Sequence, residues 1–278
     1  MDAAALSPNE RFLLDFHRSH AGATSEFFGP ARTPEGGDSY DRLAALVPAG
    51  GNAVVLDLGC GDGLLLERIR QRRGSGARLI GLDMSADELA AAARRLGPDV
   101  RLLNERAQAI SLPPASVDVV LSHMALMLMG DPASVIAEIH RVLRPGGVFS
   151  AIVDGGPAPS GGFACFVESL RRTMRAAGRQ PLQLVHPTFA SQQALLAHLG
   201  EAAGFSDARV EELAVSRREP PARLWELMLL TYDMAYLSPG EVERVRRDFL
   251  DAVEALRDAE GMVGCSVGLR QFTARKHG

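Results

Sequence analysis

Between Val55 and Gly63 the chain reads VLDLGCGDG, an acid followed by three glycines at every second position. A carboxylate such as Asp57 can attract a cation or accept hydrogen bonds. Glycines let the main chain approach a ligand closely and adopt positive φ. A second acid, Asp83, closes the apolar run IGLD, and His123 lies in LSHMAL. The ordinary imidazole acidity suits a general base near neutral pH. These residue types leave three readings open for the glycine stretch: a dinucleotide loop, a loop for another adenosine-bearing ligand, or a tight turn that needs glycine.

The elements that must carry these residues follow from hydrophobic pattern. Before residue 51 the chain predicts helices: Ser7-Pro8 is a start signal, and SYDRLAALV repeats apolar residues at helical spacing. AVVLDLG is a continuous strand-forming run, as in a strand covered on both faces of a parallel sheet. Helices and strands then alternate: LLLERIRQRR, RLIGLDM, ADELAAAARRLG, VRLLNE, VDVVLSHM, DPASVIAEIHRVL and VFSAIV. That order predicts a doubly wound, Rossmann-like α/β sheet with right-handed crossovers. Helical insertions are expected at about 155–200 and 218–260, with ARVEELAVS and CSVGLRQFTARK as late strands. The organisation read from this is an N-terminal helical cap over 1–50 and one main domain over 51–278.

Composition narrows the function classes. The formal net charge of −4 over 278 residues gives no basic footprint for nucleic acid. The three cysteines, Cys60, Cys165 and Cys265, form no C-x-x-C pair, so neither a zinc site nor a disulfide framework is expected. No apolar run reaches the roughly 20 residues of a membrane span, and a cytoplasmic location is the expectation.

The dinucleotide fingerprint is G-x-G-x-x-G. Here Leu64 stands where the third glycine belongs, and the spacing is G-x-G-x-G. Asp57 would repel a pyrophosphate but suits an ammonium or a sulfonium. Asp83, at the end of the second strand, is placed to take ribose hydroxyls. The pattern describes a ligand with an adenosine, a cation and no phosphate.

VLDLGCGDG, GLDMS, VDVVLSHMAL and EIHRVLRPGG resemble, in that order, the signature segments of class I SAM-dependent methyltransferases, over roughly Asn52 to Asp154. The resemblance is greatest to the branch that methylates small molecules, and it implies a seven-stranded sheet with S-adenosyl-L-methionine (SAM) as cofactor. It further implies that Asp57 anchors the methionine amino group, while Gly59, Cys60 and Gly61 pass their backbone against the cofactor. Asp83 would take the ribose, Met84 would pack on adenine, and Ser122 and His123 would sit beside the methyl donor. One segment departs from the family: Arg106 falls where many relatives carry an aspartate, leaving the Ala107 N–H and the Gln108 amide to hold adenine.

Each residue has a structural alternative. Asp62 is expected as a helix N-cap. His123 is either a general base or a packed histidine. Tyr40, in the lid, and His186, in the insertion, are candidate substrate contacts. Trp225, Tyr232 and Tyr236 recur at near-helical spacing, as core residues do. The expected reaction is methyl transfer to an O or N atom of a small molecule, probed against two rivals. One is an NAD-dependent oxidoreductase; the other is a SAM-fold protein that transfers no methyl group. No metal, nucleic acid or membrane partner is expected. The long C-terminal helices could pack internally or form a homodimer.

Overall fold

The computed structural model describes residues 6–278. Eight strands form one sheet: β1 Ala53–Leu58, β2 Ala77–Asp83, β3 Arg101–Asn104, β4 Val117–His123, β5 Leu143–Asp154, the two-residue β6 Ser160–Gly161, β7 Phe205–Glu219 and β8 Val263–Lys276. The helices are α1 Pro8–Ser19, α2 Ala23–Phe28, α3 Ser39–Ala44, α4 Leu64–Arg73, α5 Ala86–Leu96, α6 Pro132–Val142, α7 Gly162–Ala176, α8 Gln192–Leu199, α9 Pro221–Met228, α10 Tyr232–Ala235 and α11 Pro239–Glu254. None is long and apolar enough to cross a membrane.

Strand order is β3-β2-β1-β4-β5-β8, with β7 and β6 both paired to β8. The first five strands are parallel, and β8 runs antiparallel between β5 and β7. CSVGLRQFTARK is therefore an interior strand rather than an edge. The order reverses between β1 and β4, and at such a switch point the crossover helices diverge and leave a crevice beyond the strand ends.

Alternation along the strands divides the core into two layers. Val54, Leu56 and Leu58 of β1 pack with α6 and α8 on one face. Val55, Leu121 of β4 and Ile152 of β5 pack with α3, α4, α5, α7 and α11 on the other. The parity that buries Val55 also puts Asp57 on this second face, and that of Leu121 does the same for His123.

Several helix starts are well capped. Ser7 and Glu10 form a capping box on α1, and Ser238 and Glu241 form another on α11. The stretch PARLWELMLLTYDMAYL breaks where a single helix is expected. It is α9, a turn through Leu229 and Leu230, then α10. The break buries Trp225, turns Tyr232 toward α1, and leaves Tyr236 exposed.

The third glycine of the G-x-G-x-G stretch supplies the close packing that the absent dinucleotide glycine would have given. Gly63 begins α4 at φ +84°, and a Cβ there would sit 2.7 Å from Leu96 Cδ1 and 3.2 Å from Ala92 Cβ of α5. Strained backbone and overlap together predict that Gly63→Ala lowers stability by about 1–3 kcal/mol. Urea unfolding of the ligand-free protein checks this, and an unchanged midpoint would refute it.

Candidate active site

β1 delivers Asp57 to the carboxyl edge of the sheet, where the carboxylate is 1% exposed and neither oxygen has a hydrogen-bond partner. Three other acids surround it, and each is compensated. Asp83 accepts the N–H groups of Gly61 and Ser85, both at 2.9 Å. Glu88 accepts the Gly22 N–H and lies 2.7 Å from His17 Nδ1. Asp62 accepts from the Ser25 hydroxyl and from Arg95. Asp62 is thus a tie between the N-terminal helices and α5, while Gly63 takes the N-cap position expected for it.

Burial, reinforced by Asp83 and Asp62, raises the Asp57 carboxyl well above the usual carboxylate range. A raised folded-state value means that folding is favoured while Asp57 is protonated and loses that advantage as pH rises through ionisation. At neutral pH a charged Asp57 is an uncompensated buried ion. A bound cation removes the penalty.

The glycine loop shapes the space in front of this carboxylate. Gly59 has φ +73°, and a Cβ on it would lie 2.4 Å from Ala125 Cβ. The cleft has two lobes that meet at Gly59, Asp83, His17 and Leu128. One lobe holds Asp57, Cys60, Tyr40 and His123. The other lies between α1 and the β2 and β3 ends, lined by Met84, Arg106, Ala107 and Gln108. A ligand filling both would be elongated, with its cationic end at Asp57 and its middle at Asp83. Its far end would meet Met84 and Ala107.

A larger cavity of about 520 Å³ adjoins the first lobe, sharing Thr24, Met124, Leu128 and Tyr232 with it. Its walls come from α2, α7, the α9–α10 break and residues 181–185. Six rings face it: Phe16, Phe27, Phe28, Phe163, Phe166 and Tyr232.

The other expected residues divide by position. His123 is buried, shares a hydrogen bond of 2.8 Å between Nε2 and the Ser39 hydroxyl, and leaves Nδ1 without a partner. Burial lowers its pKa to about 3, so it is neutral at pH 7 and a poor proton acceptor. Tyr40 stacks on it with ring centroids 3.7 Å apart. Both reach the cleft as a packed pair. Ser122 does not line it: its hydroxyl donates to the Leu58 carbonyl at 2.8 Å and ties β4 to β1. The Cys60 thiol is likewise raised by burial, and a Cβ on Gly81 would meet its sulfur at 2.8 Å. Gln108 reaches the second lobe, but its amide donates to the Gly130 carbonyl at 2.6 Å.

His186 lies outside these spaces and caps a short turn, its Nδ1 accepting the Thr188 N–H at 3.3 Å. Arg106, the departure from the family pattern, pairs with Glu10 of α1. Glu88, His17 and Ser25 escaped sequence reasoning, and Tyr232, expected as a core residue, lines the cleft. Each comes from an element distant along the chain, and a single sequence offers no signal that joins them.

The family model described as "Methyltransferase domain" matches residues 56–151, the span from β1 through β5 that builds the cradle. Over this span the chain is similar to class I SAM-dependent methyltransferases. It is similar to a malonyl-[acyl-carrier protein] O-methyltransferase of Pectobacterium atrosepticum, 35% identical over 42% of this chain and 46% of the relative. It also resembles a trans-aconitate 2-methyltransferase of Azoarcus, 38% identical over 39% of this chain and 42% of the relative. A ubiquinone biosynthesis O-methyltransferase of Pseudomonas aeruginosa is 38% identical over 37% of this chain and 45% of the relative. The chain matches less than half the length of these relatives, and the family likeness resides in the cradle.

Solved structures share the fold more widely. Haemonchus contortus phosphoethanolamine N-methyltransferase 2, in complex with SAM, aligns with a TM-score of 0.57 at 19% identity, over 99% of this chain and 61% of that one. The [4+2]-cyclase SpnF aligns with a TM-score of 0.52 at 23% identity, over 85% of this chain and 80% of that one.

The unpaired Asp57 makes a prediction that needs no ligand. Asp57→Asn raises the melting temperature of the ligand-free protein at pH 8, by about 2–4 °C per kcal/mol of penalty relieved. The gain shrinks as pH falls and the wild-type carboxyl takes up its proton. Scanning calorimetry at pH 8 and pH 5 checks both; equal or lower melting of the variant at pH 8 contradicts it.

Proposed function

We propose that the chain binds SAM in the two-lobed cleft and transfers its methyl group to an oxygen atom of a small apolar acceptor held in the adjoining cavity. The observation that carries the reading is Asp57, a buried carboxylate without a donor, facing the cleft beside a glycine that admits no side chain. The residues fit the cofactor. Asp57 would hold the methionine ammonium, Asp83 the ribose hydroxyls, and Gly59, Cys60 and Gly61 the close backbone wall. Met84 and Ala107 would cover adenine, and Gln108 would shape that lobe while bonded to Gly130. SAM supplies an electrophilic methyl group when bound.

The chain's own contribution is placement. Holding two reactants at near-attack distance can supply on the order of 7–11 kcal/mol. Thr24, Met124, Leu128 and Tyr232, common to cleft and cavity, form the passage where the acceptor would meet the methyl group. His123 and Tyr40 would wall that passage as a neutral stacked pair. The relatives named for O-methylation of small or carrier-bound acceptors support oxygen as the atom methylated. A role in small-molecule biosynthesis, within specialised metabolism, accords with the large aromatic cavity.

Calorimetric titration with SAM, S-adenosylhomocysteine and NADH tests the reading. The first two should bind and NADH should not, because Asp57 opposes a pyrophosphate. Asp57→Asn should weaken SAM by on the order of 100-fold through loss of a buried charge pair. Binding of NADH alone, or full SAM affinity in that variant, overturns it. His123→Ala should slow transfer of a labelled methyl group to acceptors in a cell extract by only a few-fold. A loss of about 1,000-fold would restore the histidine as a base.

A further inference from the structure

The large cavity is mainly apolar, and β5 ends in a carboxylate at its wall. Asp154 is two residues beyond Ile152, the partner of His123 in the β4–β5 register. It therefore lies roughly 6–7 Å further out along the same face of the sheet. The Met124 N–H donates to the Ile152 carbonyl at 2.8 Å, and Met124 lines both cleft and cavity. Asp154 thus stands near the passage between the two spaces.

Its position is built into the backbone. Immediately after it, Gly155 at φ +128° and Gly156 at φ +83° lie so close to β8 that added Cβ atoms would meet Arg270 at 2.1 Å and the Leu269 carbonyl at 2.4 Å. The chain turns away there, pressed onto β8, and leaves Asp154 lining the cavity. Of the other charged groups, Asp233 accepts the Leu182 N–H. Arg270 is paired with Glu212 and the Ala190 carbonyl. Arg171 lines the cavity from α7 but is exposed.

We infer that Asp154 is the residue that receives the acceptor's hydroxyl group, and that the acceptor is an aromatic compound carrying that hydroxyl. This rests on the methyl-transfer reading for its place in a reaction, but not for the contact itself. The six rings around the cavity favour an aromatic framework, and a carboxylate is an acceptor-only partner that selects O–H over O–CH₃. Asp154 is exposed, yet the cavity wall partly desolvates its carboxyl and raises it, against the lowering pull of the Gly155 N–H and Arg270. That direction makes it a better proton acceptor than a fully hydrated aspartate. In the reaction, the acceptor oxygen forms its bond to the methyl carbon as the bond from that carbon to sulfur breaks. The electron pair stays on sulfur, and the hydroxyl proton passes to Asp154. His123, held neutral and bonded to Ser39, takes no part in that transfer.

The probes are 2-naphthol and its methyl ether, 2-methoxynaphthalene, titrated by fluorescence into the full chain at pH 8. The wild type should prefer the naphthol by roughly tenfold or more, the effect of one hydrogen bond to a charged group. Asp154→Asn and Asp154→Ser should both erase that preference while binding the ether as the wild type does. A preference retained in both variants, an equal loss of both probes, or no naphthol binding to the wild type overturns the inference. SAM titration of the same samples separates the two proposals. Lost preference without SAM binding sinks the methyl-transfer reading alone, and SAM binding with retained preference sinks the role of Asp154 alone.

Discussion

An ionised carboxylate taken out of water without a partner is among the least favourable things a folded chain can hold, and the environment of Asp57 is organised around that problem. The sheet places it at the one edge where the order of strands reverses. Its neighbours are acids rather than arginines, so nothing nearby neutralises it. Arg95, His17 and two backbone N–H groups are spent on Asp62, Glu88 and Asp83 instead. The compensated acids act as fixed struts, and Asp57 is left to respond to whatever enters. Selectivity for a cationic ligand then needs no flexible part, because the penalty exists before the ligand arrives.

The same arrangement separates binding from chemistry. Charge is concentrated in the narrow cleft, whereas the larger cavity beside it is lined mainly by phenylalanine, leucine and methionine. An apolar acceptor would gain by leaving water, and a charged donor would gain by meeting Asp57. Neither space offers much to the other's ligand. His123 and Tyr40, packed against each other on the cleft wall, contribute shape. Burial has removed the basicity that made the histidine attractive as a catalyst.

What could be read from the sequence was what short-range pattern controls. The continuous apolar run before Asp57, the alternation of strands and helices to residue 154, and the glycine spacing all depend on neighbours a few residues apart. Seven strands were legible, and the eighth is a two-residue pairing too short to leave a pattern. The packing role of Gly63 was not legible, because the dinucleotide template assigns close packing to the position held by Leu64, whereas here Gly63 meets α5. Ser122 was misplaced because strand parity tells which face a residue takes, not whether its hydroxyl turns back to a carbonyl. The break between α9 and α10 was invisible, since TYDMAYL continues the helical spacing across it. The partners of the acids, drawn from α1, α2 and α5, depend on tertiary contact alone.

The first helices lie between the site and solvent. Ser25 and Gly22 bind acids of the cradle, Thr24 borders both spaces, and Phe27 and Phe28 wall the larger one. The segment from Gly22 to Phe28 therefore borders donor and acceptor compartments alike. Were it peeled back, hydration would reach Asp57 and its acidity would relax toward that of any surface aspartate. The grip on a cation would slacken at the same moment. For a cationic ligand, admission and retention would then both turn on the wetting or drying of one carboxylate.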